Sequence, residues 1–203
     1  MQTVVFIMRH GEIDNPKQVM YGGNIDLLLN EKGKKQIRSI SEKIKKSGYK
    51  INKIYSSPLT RTLMSSKIIA DVFNIREIIK EKDLIDVDIP AMAGKPISLR
   101  NELHKSKRDE YEEEFVRRGN ESSDSVINRM RSAFYKIAKE NKGKTVGMVS
   151  HGDPIKFLIY VLQHPGEIVP PMYVLTKDNY PQKGQAVKVV LDENDKVLEM
   201  NFV

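Results

Sequence analysis

The stretch that most constrains the fold of this chain is an apolar run that ends abruptly in charged residues. Residues 3–8 read Thr-Val-Val-Phe-Ile-Met and are followed at once by Arg9, His10, Gly11 and Glu12. Branched and aromatic side chains favour a strand, and a run without alternation is typical of a strand covered on both faces. Ligands of open α/β sheets bind at the carboxyl edge of the strands, so Arg9 and His10 are expected to face a ligand.

After that stretch the chain alternates predicted strands with predicted helices. We expect further strands over residues 51–56, 76–79, 144–150, 186–191 and 197–202, and helices over about 30–47, 57–73, 98–118, 121–142 and 155–163. This order predicts the α/β class, as a three-layer α/β/α arrangement with a mostly parallel central sheet and a C-terminal antiparallel hairpin. We expect a single domain over residues 1–203, in which residues 84–120 form a helical, cap-like excursion over the carboxyl edge of the sheet.

Several of the predicted helices begin with recognisable capping residues. Asn30 suits the N-cap of the first helix, and Ser57 and Pro58 suit the N-cap and first position of the second. Asp153 and the proline after it repeat this pattern. The second start places Arg61 in the first turn of its helix, where the exposed amide groups favour anions.

Composition narrows the class of protein. Hydrophobic residues make up 39% and charged residues 30%, which is ordinary for a globular protein, and no stretch approaches the roughly 18 apolar residues of a membrane helix. Cysteine is absent, which excludes disulfides and thiolate zinc sites. With no signal-peptide pattern, a cytoplasmic protein is expected. The net charge of +7 suits either an anionic small substrate or nucleic acid, but the lysines of residues 31–50 are best explained as a solvated helix face.

Three predicted strands lead into groups that suit phosphate chemistry. His151 and Gly152 follow residues 144–150 as His10 follows the first strand, and Arg61 opens the helix after another strand. Two arginines offer paired donors to a tetrahedral dianion. A neutral histidine can attack phosphorus in line and carry the phosphoryl group until water removes it. The arginines and the second histidine supply positive charge, so this chemistry needs no metal.

These segments resemble the histidine phosphatase superfamily, also called the phosphoglycerate mutase-like family. The resemblance covers about residues 4–155, roughly three quarters of the chain. Its landmarks, in chain order, are Arg9-His10-Gly11-Glu12, Gly23-Asn24-Ile25-Asp26, Ser56-Ser57-Pro58-Leu59-Thr60-Arg61, Glu121-Ser122 and Ser150-His151-Gly152. Asn24 stands where the family usually has tryptophan.

The resemblance implies a role for each of the matching residues. His10 would be the nucleophile, and Arg9, Arg61 and His151 would hold the phosphate. The residues expected to line the substrate site are Gly11, Asn15, Gly22, Gly23 and Gly152. The resemblance implies neither a metal nor another cofactor.

The family's proton donor is an acidic residue in the loop after the third strand. In this chain Asp86 is the best match, and Asp88 is the alternative. The family often has glutamate at this place, so the aspartate is a departure. A donor there must hold its proton near neutral pH.

The activity that we favour is metal-independent hydrolysis of phosphomonoesters through a phosphohistidine. The alternatives are a cofactor-dependent phosphoglycerate mutase and, less favoured, a non-catalytic member that binds phosphate or RNA. The family's mutases have a longer excursion than this chain, although Lys95, Arg100 and Lys105 could bind a carboxylate. The expected partner is a small phosphorylated substrate, with no membrane and with nucleic acid disfavoured; the sequence allows a homodimer but does not set the oligomeric state.

Overall fold

A six-stranded sheet forms the centre of the computed structural model, which describes residues 1–203. The strands are β1 (Thr3–Arg9), β2 (Lys53–Ser56), β3 (Ile78–Lys80), β4 (Thr145–Ser150), β5 (Ala186–Leu191) and β6 (Val197–Phe202). Their order across the sheet is β3-β2-β4-β1-β5-β6. The first four in this order are mutually parallel, whereas β5 pairs antiparallel with β1 and β6 antiparallel with β5. The predicted mostly parallel sheet with a C-terminal antiparallel hairpin is confirmed.

Helices cover both faces of this sheet. They are α1 (Glu31–Lys46), α2 (Thr60–Phe73), α3 (Ile97–Lys105), α4 (Glu113–Val116), α5 (Ser123–Glu140), α6 (Gly152–Gln163) and α7 (Met172–Leu175), with a 3₁₀ turn at Lys82–Leu84. Along β1, Phe6 and Met8 belong to the core formed with α1 and α2, while Val5 and Ile7 belong to the core formed with α5 and α6. The strand is therefore buried on both faces, as its unbroken apolar run predicts. No helix is both long enough and apolar enough to span a membrane.

The first two of the three predicted helix starts have different outcomes. Asn30 caps α1 as expected, because its side-chain oxygen accepts a hydrogen bond of 2.8 Å from the Gly33 amide. The expected start of α2 at Pro58 is wrong, since the helix begins at Thr60. Its first turn is capped instead by Asp26, whose carboxylate accepts from the Thr60 amide at 3.0 Å. The capping group thus comes from a distant segment, which a local sequence pattern does not reveal.

The excursion after β3 is helical but interrupted. Residues 98–118 form α3 and α4 rather than one continuous helix. Between them Lys107 has a positive φ of 58°, and the Asp109 carboxylate accepts hydrogen bonds from the amides of Tyr111 and Met172. Residues 106–112, which connect α3 to α4, therefore attach the excursion to the segment that contains α7. The short helix α7 was not predicted from the sequence.

The loop after β1 crosses the start of α1 at backbone contact distance. A Cβ atom added to Gly33 would lie 2.0 Å from the carbonyl oxygen of Glu12, and one added to Gly11 would lie 2.3 Å from the carbonyl oxygen of Gly33. The same carbonyl of Glu12 accepts from the Asn30 amide at 3.0 Å. The residues that follow His10 are thus held in place by the first turn of α1.

We expect Gly33→Ala to destabilise the protein by about 2 kcal/mol, because the methyl group has no room and the backbone must shift. Urea unfolding measures the change. The matched control is Lys35→Ala, an exposed position two residues along the same helix, which should change the free energy of unfolding by less than about 0.5 kcal/mol. Equal stability of the two variants would contradict the close crossing.

Candidate active site

Two histidines leave the sheet side by side. Arg9 is the last residue of β1, His10 follows it, and His151 directly follows β4. The two strands pair in parallel with Arg9 opposite Ser150, so both histidines emerge at the same level. Their ring centroids are 5.3 Å apart. The strand register therefore brings together residues that are far apart along the chain.

The His10 ring is oriented by its own backbone. Its Nδ1 lies 2.8 Å from the carbonyl oxygen of Gly11, and because a carbonyl can only accept, Nδ1 carries the hydrogen. The lone pair then lies on Nε2, which is buried and has no hydrogen-bond partner in the protein. An unpaired imidazole nitrogen of this kind is available as a nucleophile.

Both histidines are held in the neutral form. Burial lowers the pKa of His10 well below its ordinary value, and the nearby His151, Arg9 and Arg61 lower it further. Burial also lowers the pKa of His151 well below its ordinary value, with Arg61 and Arg9 adding to the effect. Desolvation and neighbouring positive charge both disfavour a protonated imidazole, so His10 keeps its lone pair at neutral pH.

Arg61 connects His151 to the loop that carries Asp86. Its guanidinium is fully buried; Nε donates to Nδ1 of His151 at 3.3 Å, and Nη2 donates to the carbonyl of Gly22 at 2.7 Å and to Oδ2 of Asp86 at 2.8 Å. Because Nδ1 of His151 accepts, its hydrogen lies on Nε2, 2.8 Å from the Ser57 hydroxyl. The buried charge of Arg61 is therefore balanced by the Asp86 carboxylate.

Arg9 is held in place by contacts with residues 178–185, which we call the covering segment. Nη1 of Arg9 donates to the carbonyl of Pro181 at 2.9 Å, and its guanidinium carbon lies 5.2 Å from the centre of the Tyr180 ring. Nε of Arg9 is buried and has no partner. Arg9 therefore retains a donor that an anion beside His10 could use.

Two more contacts join the covering segment to the loop after β1. The Gly184 amide donates to the carbonyl of His10 at 3.0 Å, and the Lys183 ammonium is paired with the Glu12 carboxylate. The backbone on both sides of His10 is thus attached to the covering segment.

Gly152 is the place where side chains approach the start of α6 most closely. A Cβ atom there would lie 2.1 Å from the Tyr180 hydroxyl and 3.0 Å from the guanidinium carbon of Arg9. Any larger residue would displace these two side chains. This close approach explains why a glycine follows His151.

A cavity of about 160 Å³ opens beside these groups. Six of the residues expected from the sequence line it: Arg9, His10, Asn15, Gly22, Asp86 and Gly152. Arg61 and His151 are fully buried and contact Asp86 from behind, at 2.8 Å and 3.5 Å. Asn15 mainly stabilises its own loop. Its side-chain Nδ2 donates to the Val19 carbonyl, and its Oδ1 accepts from the Val19 amide.

Three other candidates lie outside the lining of this cavity. Gly11 is covered by Gly33, and its amide is 3.4 Å from the Ser65 hydroxyl. Gly23 and Asp88 border a separate surface depression, where Asp88 is exposed. Of the two acids proposed from the sequence, the structure therefore places only Asp86 beside His10.

The far wall of the cavity contains residues that sequence reasoning missed. The expected cap at Asp153 is wrong, since α6 begins at Gly152 and Asp153 lies in its first turn. Its carboxylate accepts from Nη2 of Arg100 at 2.7 Å and from the hydroxyls of Tyr111 and Tyr180 at 2.9 and 2.6 Å. Glu110 also lies at this wall. The only sequence signal for this wall was the acidic Asp153, two positions after His151. The residues that contact Asp153 follow no regular spacing along the chain, so the sequence does not reveal them.

Arg129 on α5 holds the loop that carries Asp86. Its Nη1 donates to the carbonyls of Asp83 and Ile85 at 2.8 and 2.7 Å, and its Nη2 lies 3.3 Å from the carbonyl of Asp86. Nε of Arg129 pairs with Glu121 at 2.8 Å. One guanidinium therefore satisfies three loop carbonyls and determines where the Asp86 side chain begins.

Comparison with known proteins identifies the family to which this arrangement corresponds. Residues 5–171 match the family model of the histidine phosphatase superfamily, branch 1. The chain is 30% identical over 168 residues to phosphoserine phosphatase 1 of Hydrogenobacter thermophilus, covering 78% of this chain and 75% of that protein. It is 28% identical over 158 residues to phosphoglycerate mutase-like protein 4 of Arabidopsis thaliana, covering 76% and 68%.

Solved structures show the same fold. YhfR of Bacillus stearothermophilus superimposes with a TM-score of 0.79 over 96% of this chain and 94% of that one, at 21% identity. At 21% identity this similarity shows that the two proteins share a fold. The three-layer arrangement expected from the sequence is thereby confirmed.

The lowered pKa values of His10 and His151 predict how stability depends on pH. Below about pH 6.5 the unfolded chain binds protons at these histidines that the folded protein cannot bind. The free energy of unfolding therefore decreases as the pH is lowered below 6.5, whereas above that pH the two histidines have no effect on it. Each histidine contributes at most about 2 kcal/mol between pH 6.5 and 5. In His10→Gln the fall measured by urea unfolding should therefore be about 1–2 kcal/mol smaller than in the native protein. An identical fall in both proteins would show that His10 takes up protons normally.

Proposed function

The chain belongs to the histidine phosphatase superfamily, and we propose that it hydrolyses phosphomonoesters with His10 as the nucleophile. The observation that carries this proposal is the state of the His10 ring, which lines the cavity, is buried and neutral, and has an unpaired Nε2. A phosphatase named among the relatives, phosphoserine phosphatase 1, supports this reaction class. The expected substrate is a small phosphorylated molecule.

Binding of the phosphate requires the anion already at Arg61 to give way. Asp86 pairs with Arg61 at 2.8 Å in this structure, and a phosphate beside His10 would compete for the same guanidinium. The phosphate dianion would also gain the unpaired Nε of Arg9. Asp86, displaced from Arg61 and next to the phosphate charge, then takes up a proton from solvent and reaches the ester oxygen as the carboxylic acid that protonates the leaving group.

In the first chemical step the lone pair of His10 Nε2 attacks phosphorus, and the bond from phosphorus to the ester oxygen breaks. Asp86 supplies the proton that the leaving alcohol needs. Arg9 and Arg61 stabilise the charge on the transferring phosphoryl group. The product of this step is a phosphohistidine, held by the hydrogen bond from Nδ1 to the Gly11 carbonyl.

In the second step water attacks the phosphohistidine. Asp86, now a carboxylate, accepts a proton from the water as the oxygen–phosphorus bond forms and the nitrogen–phosphorus bond breaks. Inorganic phosphate leaves, and His10 regains its lone pair. The same carboxyl group thus serves as acid and then as base.

Hydrolysis is better supported than a mutase reaction. The cations that could hold the carboxylate of a phosphoglycerate are unsuited to it: Arg100 is already paired with Glu110 and Asp153, and neither Lys95 nor Lys105 lines the cavity. A mutase must retain its acceptor through these contacts while it excludes water. The proposed acceptor is therefore water.

His10→Gln should lower phosphate release from p-nitrophenyl phosphate by at least about 1,000-fold, since no other side chain can form the covalent intermediate. Brief incubation of the native enzyme with substrate, followed by quenching, should trap one phosphoryl group on His10 that survives alkali but not acid. EDTA should leave the rate unchanged. The control is His164→Gln, a half-exposed histidine at the end of α6. Full activity of His10→Gln would refute the proposed nucleophile.

Asp86→Asn should slow hydrolysis of an alkyl phosphate by about 100- to 10,000-fold, because the alkoxide then leaves without a proton. Hydrolysis of p-nitrophenyl phosphate should suffer much less, since nitrophenolate leaves readily. Asp88→Asn is the matched comparison two residues away. If Asp88→Asn showed this leaving-group dependence and Asp86→Asn did not, the donor would be Asp88.

A further inference from the structure

The part of the cavity beyond the phosphate position has an unusual balance of charge. The charged residues that line it are Arg100, Lys183, Glu110 and Asp153, and both carboxylates are paired with Arg100; Glu12, the partner of Lys183, does not line the cavity. At Arg100 two carboxylates therefore face one cation, on the part of the lining left for the alcohol part of a substrate. This feature is separate from the residues proposed to bind and transfer phosphate.

We propose that this end of the cavity selects phosphomonoesters whose alcohol carries hydroxyl or amino groups, and disfavours those that carry a carboxylate. The proposal rests on the phosphatase activity proposed above, and it names the substrate class of that same site. It concerns discrimination between substrates by the charge of their alcohol part.

Arg100 is the cation that a carboxylate would have to use, and it is already neutralised. Its Nη2 contacts both oxygens of Asp153 at 2.9 and 2.7 Å, and its Nε lies 2.6 Å from Oε1 of Glu110. Both carboxylates are buried, at 5% and 3% exposure. A third carboxylate at this guanidinium would lie close to two others, with little water to screen the repulsion.

The Asp153 carboxylate keeps its charge in this environment. Burial alone would raise its pKa, but Arg100 and the hydroxyls of Tyr180 and Tyr111 outweigh burial and lower the pKa below its ordinary value. Lys183 offers no alternative to an incoming anion, because its ammonium is paired with Glu12. The lining at Arg100 therefore keeps two carboxylates beside one cation.

Hydroxyl and amino groups find suitable partners at the same place. Nη1 of Arg100 makes no hydrogen bond within the protein and can donate to a neutral oxygen. Glu110 lines the cavity, and its second oxygen has only a 3.2 Å contact with His104, so it can accept from a hydroxyl or an ammonium. Substrate groups that donate hydrogen bonds are therefore favoured beside Glu110, whereas a substrate carboxylate is disfavoured there.

The volume of the cavity limits the size of the substrate. Ligand pockets for drug-sized molecules usually measure about 300–1,000 Å³, whereas this cavity measures about 160 Å³. It accommodates a phosphate and a few carbon atoms. A nucleotide would have to leave its base outside.

Two pairs of substrates test the proposal, because the members of each pair differ by one group. Glycerol 3-phosphate carries a hydroxymethyl group where 3-phosphoglycerate carries a carboxylate, and phosphoethanolamine is phosphoserine without its carboxylate. We expect kcat/KM to be at least 10-fold higher for the carboxylate-free member of each pair. p-Nitrophenyl phosphate serves as the reference for general activity.

Glu110→Gln removes one negative charge with little change of shape. The preference for glycerol 3-phosphate over 3-phosphoglycerate should fall by about 10-fold in this variant, and it should remain unchanged in Glu113→Gln, an exposed position three residues away. The native enzyme alone already decides the main point, so the test does not depend on the folding of the variant.

The outcomes separate the two proposals. If p-nitrophenyl phosphate is hydrolysed but the carboxylate-bearing members are used equally well or better, the inferred selectivity is wrong and the phosphatase activity stands. If none of the five esters is hydrolysed, the proposed activity fails and the selectivity fails with it.

Discussion

The parallel pairing of β1 with β4 is the interaction on which the arrangement of the site depends. It sets Arg9 opposite Ser150, and this register determines that the rings of His10 and His151 lie 5.3 Å apart. A shift by one residue would turn each side chain to the opposite face of the sheet. The two apolar cores hold the register, because both faces of β1 are covered. Packing far from the cavity thus controls the positions of the groups proposed to act in it.

Charge burial is the second constraint, and it is met by pairing. Arg61 is fully buried, and an isolated charge there would be costly, but the Asp86 carboxylate and the Gly22 carbonyl satisfy it. Arg129 in turn fixes the loop that supplies Asp86. The cations around the two histidines are therefore held in place by the protein itself, and they add to burial, the larger cause, in lowering the pKa of both rings and keeping them neutral. Electrostatic preorganisation of this kind needs little rearrangement when an anion arrives.

Local patterns in the sequence were sufficient for the sheet and for much of the helical framework. β1 follows from one apolar run, and the start of α1 follows from Asn30, because in both cases the determining residues are neighbours in the chain. The start of α2 was misplaced since its cap, Asp26, comes from another segment. For the same reason the surroundings of Asp153 could not be anticipated: contacts between distant segments have no period or spacing to detect.

The covering segment has a consequence for the order in which the protein can mature. His10 is made well before Gly184, yet its carbonyl accepts a hydrogen bond from the Gly184 amide, and β1 is flanked by two strands that come much later in the chain, β4 and β5. Such distant pairings form late, since the intervening chain must first be made and closed into a loop. A nascent chain therefore contains His10 long before it can assemble the cavity around it, and the proposed activity must await translation of the covering segment and β5.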